Sequence, residues 1–299
     1  MGKPVALSSK LSYVVFPREE ARQRVAALNA APPPPASPPE PDLPAENAAL
    51  VNWLFARAGL DARCYRPETL QRRLPACLRV LRAPGAGQAR RFLEERPHLV
   101  GTALDAMLVG VTGFFRDPPV FDLLLRHLCW HAPPARRGVQ AWCAGCSDGC
   151  ELVSLAILLA EEGRLAGSYL LGTDCRPGAV RRARAGWYGQ DALRGLPTGF
   201  RERYFLPQDG GGSVRPDLRA ALRWRTADVL AGPEPGVWDV ILFRNTAMYL
   251  RPEVSKRLWA RFETHLRPGG LLVLGKAERP AGAHRLAALG PCVYRRTPA

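Results

Sequence analysis

Two features of this chain are of the kind that grip a nucleoside. Ala144-Gly145-Cys146-Ser147-Asp148-Gly149 ends one apolar run, VQAWCA (139 to 144), and leads straight into a helical one. Small residues there let the backbone approach a ligand at the carboxyl end of a sheet. One strand further on, Gly172-Thr173-Asp174 ends the run SYLLGT (168 to 173) with a carboxylate, which at that place can take two hydrogen bonds from a ribose diol. The loop glycines, Gly145 and Gly149, are separated by Cys-Ser-Asp and do not follow the G-x-G-x-x-G spacing that a dinucleotide pyrophosphate needs. Loop and acid together point to a nucleoside cofactor without that pyrophosphate, S-adenosylmethionine.

The elements that must carry these residues follow from the apolar spacing. From Gly138 onward, the short runs VQAWCA, SYLLGT, LRWRT (222 to 226), VWDVILF (237 to 243) and LLVLGK (271 to 276) alternate with helical stretches near 150 to 162, 177 to 186 and 252 to 266. That alternation predicts an α/β fold with a mostly parallel sheet covered on both faces. Residues 187–221 interrupt it, and QDGGGS (208 to 213) reads as a flexible turn inside a small insertion. Upstream, residues 45–130 have apolar positions at helical spacing, including Leu50, Trp53, Leu54, Leu60, Leu70, Leu74, Cys77, Leu78 and Leu81, and predict a small helical bundle. Residues 1–44 form a tail, EEARQRVAAL being one possible helix, and a linker whose stretch PPPPASPPEPDLP has nothing to bury and reads as disordered.

A length of 299 residues with 47% hydrophobic and 23% charged composition excludes a peptide, a fibre or a wholly disordered chain. No long uncharged apolar run and no secretory signal pattern is present, so the expectation is a cytoplasmic protein. Eight irregularly spaced cysteines then read as thiols. The net charge of +15 favours anionic partners, whether nucleic acid, a membrane surface or an acidic protein. Arg66, Arg72, Arg73, Arg79 and Arg82 concentrate it in the helical region, as either a solvated face or a docking face for an acidic partner.

Beyond these readings, Val111-Thr112-Gly113-Phe114-Phe115-Arg116-Asp117-Pro118, AWCAGCSDGCELVSLAILLAE (141 to 161), LGTDCRPGAVRRARAGWYG (171 to 189), RYF (203 to 205) and WDVILFRNTAMYLRPE (238 to 253) closely resemble the CheR-type chemotaxis receptor methyltransferases. Those carry T-x-F-F-R-D, G-C-S-T-G-E-E-P-Y-S-L-A, a T-D-I-D strand end and C-R-N-V-x-I-Y-F. They close with P-G-G and G-x-x-E, matched by Pro268-Gly269-Gly270 and Gly275-Lys276-Ala277-Glu278. The resemblance covers about residues 48–298. It implies a class I S-adenosylmethionine-dependent methyltransferase domain (131–299) with a Rossmann-like doubly wound sheet, a small helical N-terminal domain (45–130) and a small β-subdomain inserted at about 187–221. It implies methylation of glutamate side chains on chemoreceptor cytoplasmic helices.

Carried over motif by motif, the resemblance puts Thr112 and Arg116 at the methionine end of the cofactor, Asp174 at the ribose, and the loop with Gly145 and Gly149 beneath it. Glu151 serves as a loop carboxylate, and Asp228-Val229 stands near the adenine. Arg244, Asn245 and Tyr249 border the methyl-transfer site, with Arg116, Arg244 and Tyr249 the catalytic candidates. Two departures bear on activity: the family's paired glutamates read Cys150-Glu151, and its asparagine before the adenine contact reads Asp228. A cofactor-binding or array-docking module of weak activity is therefore the competing reading, and a methyltransferase of nucleic acid or a small molecule a third, although no base-reading motif accompanies the charge. Cys143, Cys146, Cys150 and Cys175 invite comparison with a zinc or iron-sulfur site, but they straddle a strand end and a helix start, and the radical-enzyme spacing is reversed, so core thiols are expected. Phe114-Phe115 and Trp187-Tyr188 are read as core packing, not as stacking platforms.

Overall fold

The computed structural model describes residues 43–108, 110, 112–131, 138–197, 199–232, 234 and 236–298. The tail and nearly all of the proline-rich linker, with the helix expected in EEARQRVAAL, lie outside the described residues, as does Val111. The strands are β1 (Gln140–Ala144), β2 (Tyr169–Asp174), β3 (Trp187–Gly189), β4 (Phe205–Gln208), β5 (Gly211–Val214), β6 (Leu222–Thr226), β7 (Trp238–Phe243), β8 (Leu266–Leu274), β9 (Leu286–Gly290) and β10 (Val293–Arg296). The principal helices are α1 (Ala45–Arg57), α2 (Pro67–Leu81), α3 (Ala86–Glu95), α4 (Val100–Met107), α5 (Pro118–His131), α6 (Cys150–Glu161), α7 (Pro177–Ala185) and α8 (Pro252–His265).

The main sheet has the order β6-β2-β1-β7-β8-β10-β9. From β6 to β8 all neighbours are parallel, and β10 and β9 close the edge antiparallel. Strand order reverses beside β1, between β2 and β7, so a crevice opens past the carboxyl ends of these strands. Period-two alternation sends Trp142, Ile241 and Phe243 to one face and Ala141, Cys143, Val240 and Leu242 to the other. On the first face, Phe55 of α1, Leu70 of α2, Leu104 of α4 and Phe262 of α8 complete one apolar cluster. Phe121 of α5 and Leu152 and Leu155 of α6 complete the second. Every residue of α6 from Cys150 to Leu159 is buried, as expected of a helix that is apolar on nearly every face, with Glu151 and Ser154 the polar exceptions.

In the insertion the sequence reading of QDGGGS as a flexible turn is corrected. Only Asp209-Gly210 turns, and Gly211–Val214 is the central strand of a small antiparallel sheet of order β3-β5-β4. A Cβ at Gly211 would stand 2.1 Å from the Tyr188 carbonyl oxygen, so the glycine permits a close strand approach. Tyr188 is buried as expected, whereas Trp187 is 44% exposed and not a core residue. At the other end, β8 begins at Leu266 and takes in Pro268-Gly269-Gly270 through an irregular register against β7. Among the described residues no helix is long and apolar enough to cross a membrane, and seven cysteines are free thiols.

Candidate functional site

The turn from β1 into α6 is built on left-handed backbone: φ is +68° at Gly145, +50° at Ser147 and +87° at Gly149. Gly149 is glycine for packing as well as for φ, because a Cβ there would lie 2.4 Å from the Trp224 ring. This turn puts the Ser147 amide beside the end of β2, where it donates to Asp174 Oδ2 at 2.9 Å. Asp174 is further held by Arg176, whose backbone N–H and Nε donate to Oδ1 at 2.9 and 3.0 Å, and whose Nη2 donates to Oδ2 at 3.2 Å. Two bonds at each oxygen fill the usual acceptor capacity of a carboxylate. Arg176 also donates from Nη1 to the Leu108 carbonyl at 3.2 Å, and Ser147 donates from Oγ to the Gly110 carbonyl at 3.0 Å. The segment after α4 is thereby tied to both strand ends. Gly110 lies so close to the guanidinium that a Cβ would stand 2.4 Å from Nη1 and Nη2.

Between Thr112 and α5 the chain makes a turn with two further left-handed residues, Phe115 (φ +49°) and Asp117 (φ +59°), neither of them glycine. Such conformations persist only where the surroundings over-determine them, and they gather at functional sites. Here the Phe115 amide donates to Ser154 Oγ at 2.9 Å. Phe114 packs edge-on to Tyr188 and Phe205, and Phe115 to Phe121, so both phenylalanines are core, as expected. Asp117 accepts from Arg244 Nη2 at 2.8 Å and from Lys276 Nζ at 2.5 Å. Arg244 Nη1 donates to Glu151, which completes a chain of two carboxylates and two cations running from the buried Glu151 and Arg244 through Asp117 out to the exposed Lys276. The two acids move in opposite directions. Burial pushes the Glu151 carboxyl up, against the pull of Arg244 and Arg116. Burial also opposes ionisation of Asp117, but Lys276, Arg244 and Arg116 outweigh it and hold that carboxyl below its usual range.

The loop after β7 is shaped by an acid to which the sequence reading gave no role. Glu278 of the G-x-x-E segment accepts four backbone amides, from Asn245 at 3.0 Å, Thr246 at 2.8 Å, Ala247 at 2.7 Å and Gly275 at 2.7 Å. The loop then meets the helical layer. The Arg66 amide donates to the Tyr249 carbonyl and the Arg251 amide to the Cys64 carbonyl, each at 3.0 Å, and Arg66 Nε donates to the Leu250 carbonyl at 2.9 Å. Tyr249 is thus fixed at the seam between the helices and the sheet. On the other side, Asp228 accepts the Leu230 amide at 2.9 Å, and Arg261 of α8 donates to the Val229 carbonyl at 2.8 Å. Burial raises the Asp228 carboxyl, with the Leu230 hydrogen bond and Arg261 pulling the other way.

These segments line one open cleft at the carboxyl ends of the parallel strands, the place where open α/β sheets bind ligands. Thr112, Arg116, Gly145, Glu151, Asp174, Asp228, Val229, Arg244, Asn245 and Tyr249 all line it. Gly149 alone of the expected residues faces away, against Trp224 and Ala183. Asn245 Oδ1 and the Thr112 hydroxyl are buried without a hydrogen-bond partner among the described residues, the Cys150 thiol being the polar neighbour of Thr112. Unmatched donors and acceptors beside carboxylates and a guanidinium suit a zwitterionic, nucleoside-bearing ligand. The family model "CheR methyltransferase, SAM binding domain" matches residues 110–288. The chain belongs to the CheR methyltransferase family.

Within that family, the chain is 32% identical over 239 residues to a chemotaxis protein methyltransferase of Klebsiella aerogenes, covering 77% of this chain and 81% of that one. It is 26% identical over 240 residues to one of Listeria innocua, covering 80% and 92%. An uncharacterized 104.1 kDa protein of Rhodobacter capsulatus is 31% identical over 243 residues, and there the chain spans 79% of itself but only 26% of the relative. Against the CheR pattern, two features went unread in the sequence. The T-D-I-D strand end reads Thr173-Asp174-Cys175-Arg176 here, and its last position supplies the guanidinium that clamps Asp174; the changed residue was the available signal. Tyr65, Thr69 and Leu70, from the helical layer, also line the cleft, and no motif marked them.

Cys150, at the first of the CheR paired-glutamate positions, is buried under the first turn of α6, and burial pushes its thiol up to about 12. Asp148 and Glu151 both act on it electrostatically in the same direction. Cys150→Glu therefore puts a third acid, with no cation of its own, at a buried position beside Asp148 and Glu151, whose cations are already engaged, and it is expected to lower thermal stability without tightening cofactor binding. A stable Cys150→Glu protein with raised affinity in calorimetry would refute that expectation.

Proposed function

We propose that this chain transfers the methyl group of S-adenosylmethionine to glutamate side chains on the cytoplasmic helices of a chemoreceptor. The observation that carries the reading is the cleft at the strand-order reversal, lined by the residues of the CheR motifs in one continuous wall. Asp174 meets the ribose, and the 3.2 Å contact from Arg176 Nη2 is the longest of its four bonds and the one a hydroxyl displaces. Asp228 and Val229 border the adenine, and Thr112 and Arg116 hold the methionine end. Glu151 does not stand free as a second acid. It is spent on Arg244, which acts at one remove by holding Glu151 and Asp117 in place.

When bound, the cofactor supplies an electrophilic methyl on a sulfonium. The acceptor carboxylate is already ionised at neutral pH, its reference pKa being about 4.3, so no strong general base is needed. What the chain contributes is alignment and exclusion of water. Tyr249, pinned through its backbone carbonyl and half-buried, orients the incoming carboxylate. The test is transfer of labelled methyl to a receptor cytoplasmic fragment, where a base-labile ester is expected. Base-stable label, or label in RNA and not in the fragment, would overturn the assignment.

The basic helical face is proposed to dock the receptor, with a change in which arginines do so. Arg66 donates to Leu250 and Arg73 to the Ala106 carbonyl at 3.2 Å, so both are staples within the fold. Arg72 and Arg79 of α2 are exposed. Reversing both to glutamate is expected to raise KM for the receptor fragment about tenfold and leave cofactor affinity alone, with added salt mimicking the loss. Unaltered receptor kinetics would make these arginines a solvated face only.

A further inference from the structure

We propose that the Tyr65 hydroxyl contacts the adenosine end of the cofactor, so that the helical layer supplies one wall of the binding site and closes it. This rests on the cofactor reading above and extends it to a residue outside every motif. Tyr65 follows the short turn Ala62–Cys64 and is only 7% exposed. Its ring is fixed edge-on against Phe55 of α1, with centroids 5.2 Å apart and planes at 81°. Its backbone is fixed too, bridging antiparallel to Leu250 between the Arg66–Tyr249 and Arg251–Cys64 hydrogen bonds. A side chain held this firmly in the fold ordinarily has its polar end satisfied. The Tyr65 hydroxyl has no hydrogen-bond partner among the described residues and is not sealed within the protein; it lines the cleft.

Asp174 and Cys175 at the end of β2 and Asp228 after β6 line the same cleft as Tyr65. The phenol thus shares that cleft with the carboxylate assigned to the ribose and the loop assigned to the adenine. Burial, with those neighbours adding to it, raises the phenol well above its ordinary range, so it stays a neutral group that can donate one bond and accept others. Adenosine offers both kinds of partner, ring nitrogens and ribose oxygens. Because α2 starts two residues later, the contact joins cofactor occupancy to the element that carries Arg72 and Arg79.

The test is Tyr65→Phe in the full chain, which removes one oxygen and keeps the ring against Phe55. Calorimetry is expected to show affinity for S-adenosylhomocysteine falling by about fivefold to tenfold, with adenosine losing the same factor and the unfolding midpoint unchanged. The KM for the cofactor rises correspondingly while kcat holds. Wild-type affinity retained in Tyr65→Phe for both ligands would overturn the inference, as would a loss for S-adenosylhomocysteine that adenosine does not share. Absence of binding by folded wild type would instead overturn the underlying cofactor reading. Should Tyr65→Phe misfold, Thr69→Val on the same wall serves as the second variant, with a parallel loss of both ligands expected and no change in either counting against the wall.

Discussion

Arg244→Leu lowers the unfolding midpoint by roughly 10 °C, the effect of about 3–5 kcal/mol lost when one partner of a buried ion pair is removed. The size follows from the position of Arg244. Its side chain is fully buried, and both terminal nitrogens are engaged, one by Glu151 and one by Asp117. Asp117 keeps Lys276 after the substitution, but Glu151 loses the guanidinium that donates to it, is left with the pull of Arg116 alone against its burial, and must either neutralise or stay charged in a buried site. Arg244→Lys recovers only part of the loss, since one ammonium cannot bridge both acids as a forked guanidinium does.

The pH dependence of that loss has a definite sign. Glu151 is raised by burial, so its ionisation opposes folding. The penalty is absent below the unfolded value of about 4.3 and grows as pH rises through the folded one. Removing Arg244 raises the folded value further, so the deficit relative to wild type is larger at pH 8 than at pH 5. Asp117 does not blur this window. It is depressed, and its stabilising contribution is lost only as pH falls below its unfolded value of about 3.9. Thermal melts of both proteins at the two pH values check it, and equal deficits would contradict the assignment to Glu151.

Asp174→Ala carries the second large effect, a loss of S-adenosylhomocysteine affinity of about 10-fold to 100-fold, the equivalent of one charge-assisted hydrogen-bond site. It also destabilises the chain, because the carboxylate accepts Ser147 and pairs with the buried Arg176. The two consequences can be separated. In Asp174→Ala/Arg176→Ala the unpaired cation is gone, so part of the stability returns while affinity stays low. If affinity returned along with stability, Asp174 would matter to the fold alone.

The parallel core of the sheet was legible because each buried strand is a short apolar run between a helix and a small-residue turn, and five of the seven main-sheet strands fall where the runs do. β9 and β10 were not, since VYRR is half arginine and LAALG, though apolar, belongs to an antiparallel edge that stands outside the strand–helix alternation. GGGS misled the reading because glycine marks close backbone approach as well as turns, and only the pairing with β3 and β4 decides between them. In the site, residues adjacent to motifs could be placed from sequence. Tyr65 could not, because its position in the cleft comes from backbone bonds between residues 64–66 and 249–251, far apart in the chain. Arg66 and Arg73 read as surface charge for a similar reason, their carbonyl partners lying on other elements.

The cleft past β1, β2, β6 and β7 is the proposed seat of S-adenosylmethionine and of its demethylated product. Titration calorimetry of S-adenosylhomocysteine into the purified chain decides whether the cleft holds them, with circular dichroism confirming the fold. One site per chain is predicted, with affinity abolished or weakened by at least tenfold in Asp174→Ala. A folded wild-type chain that shows no heat of binding would mean that this cleft is not a cofactor site.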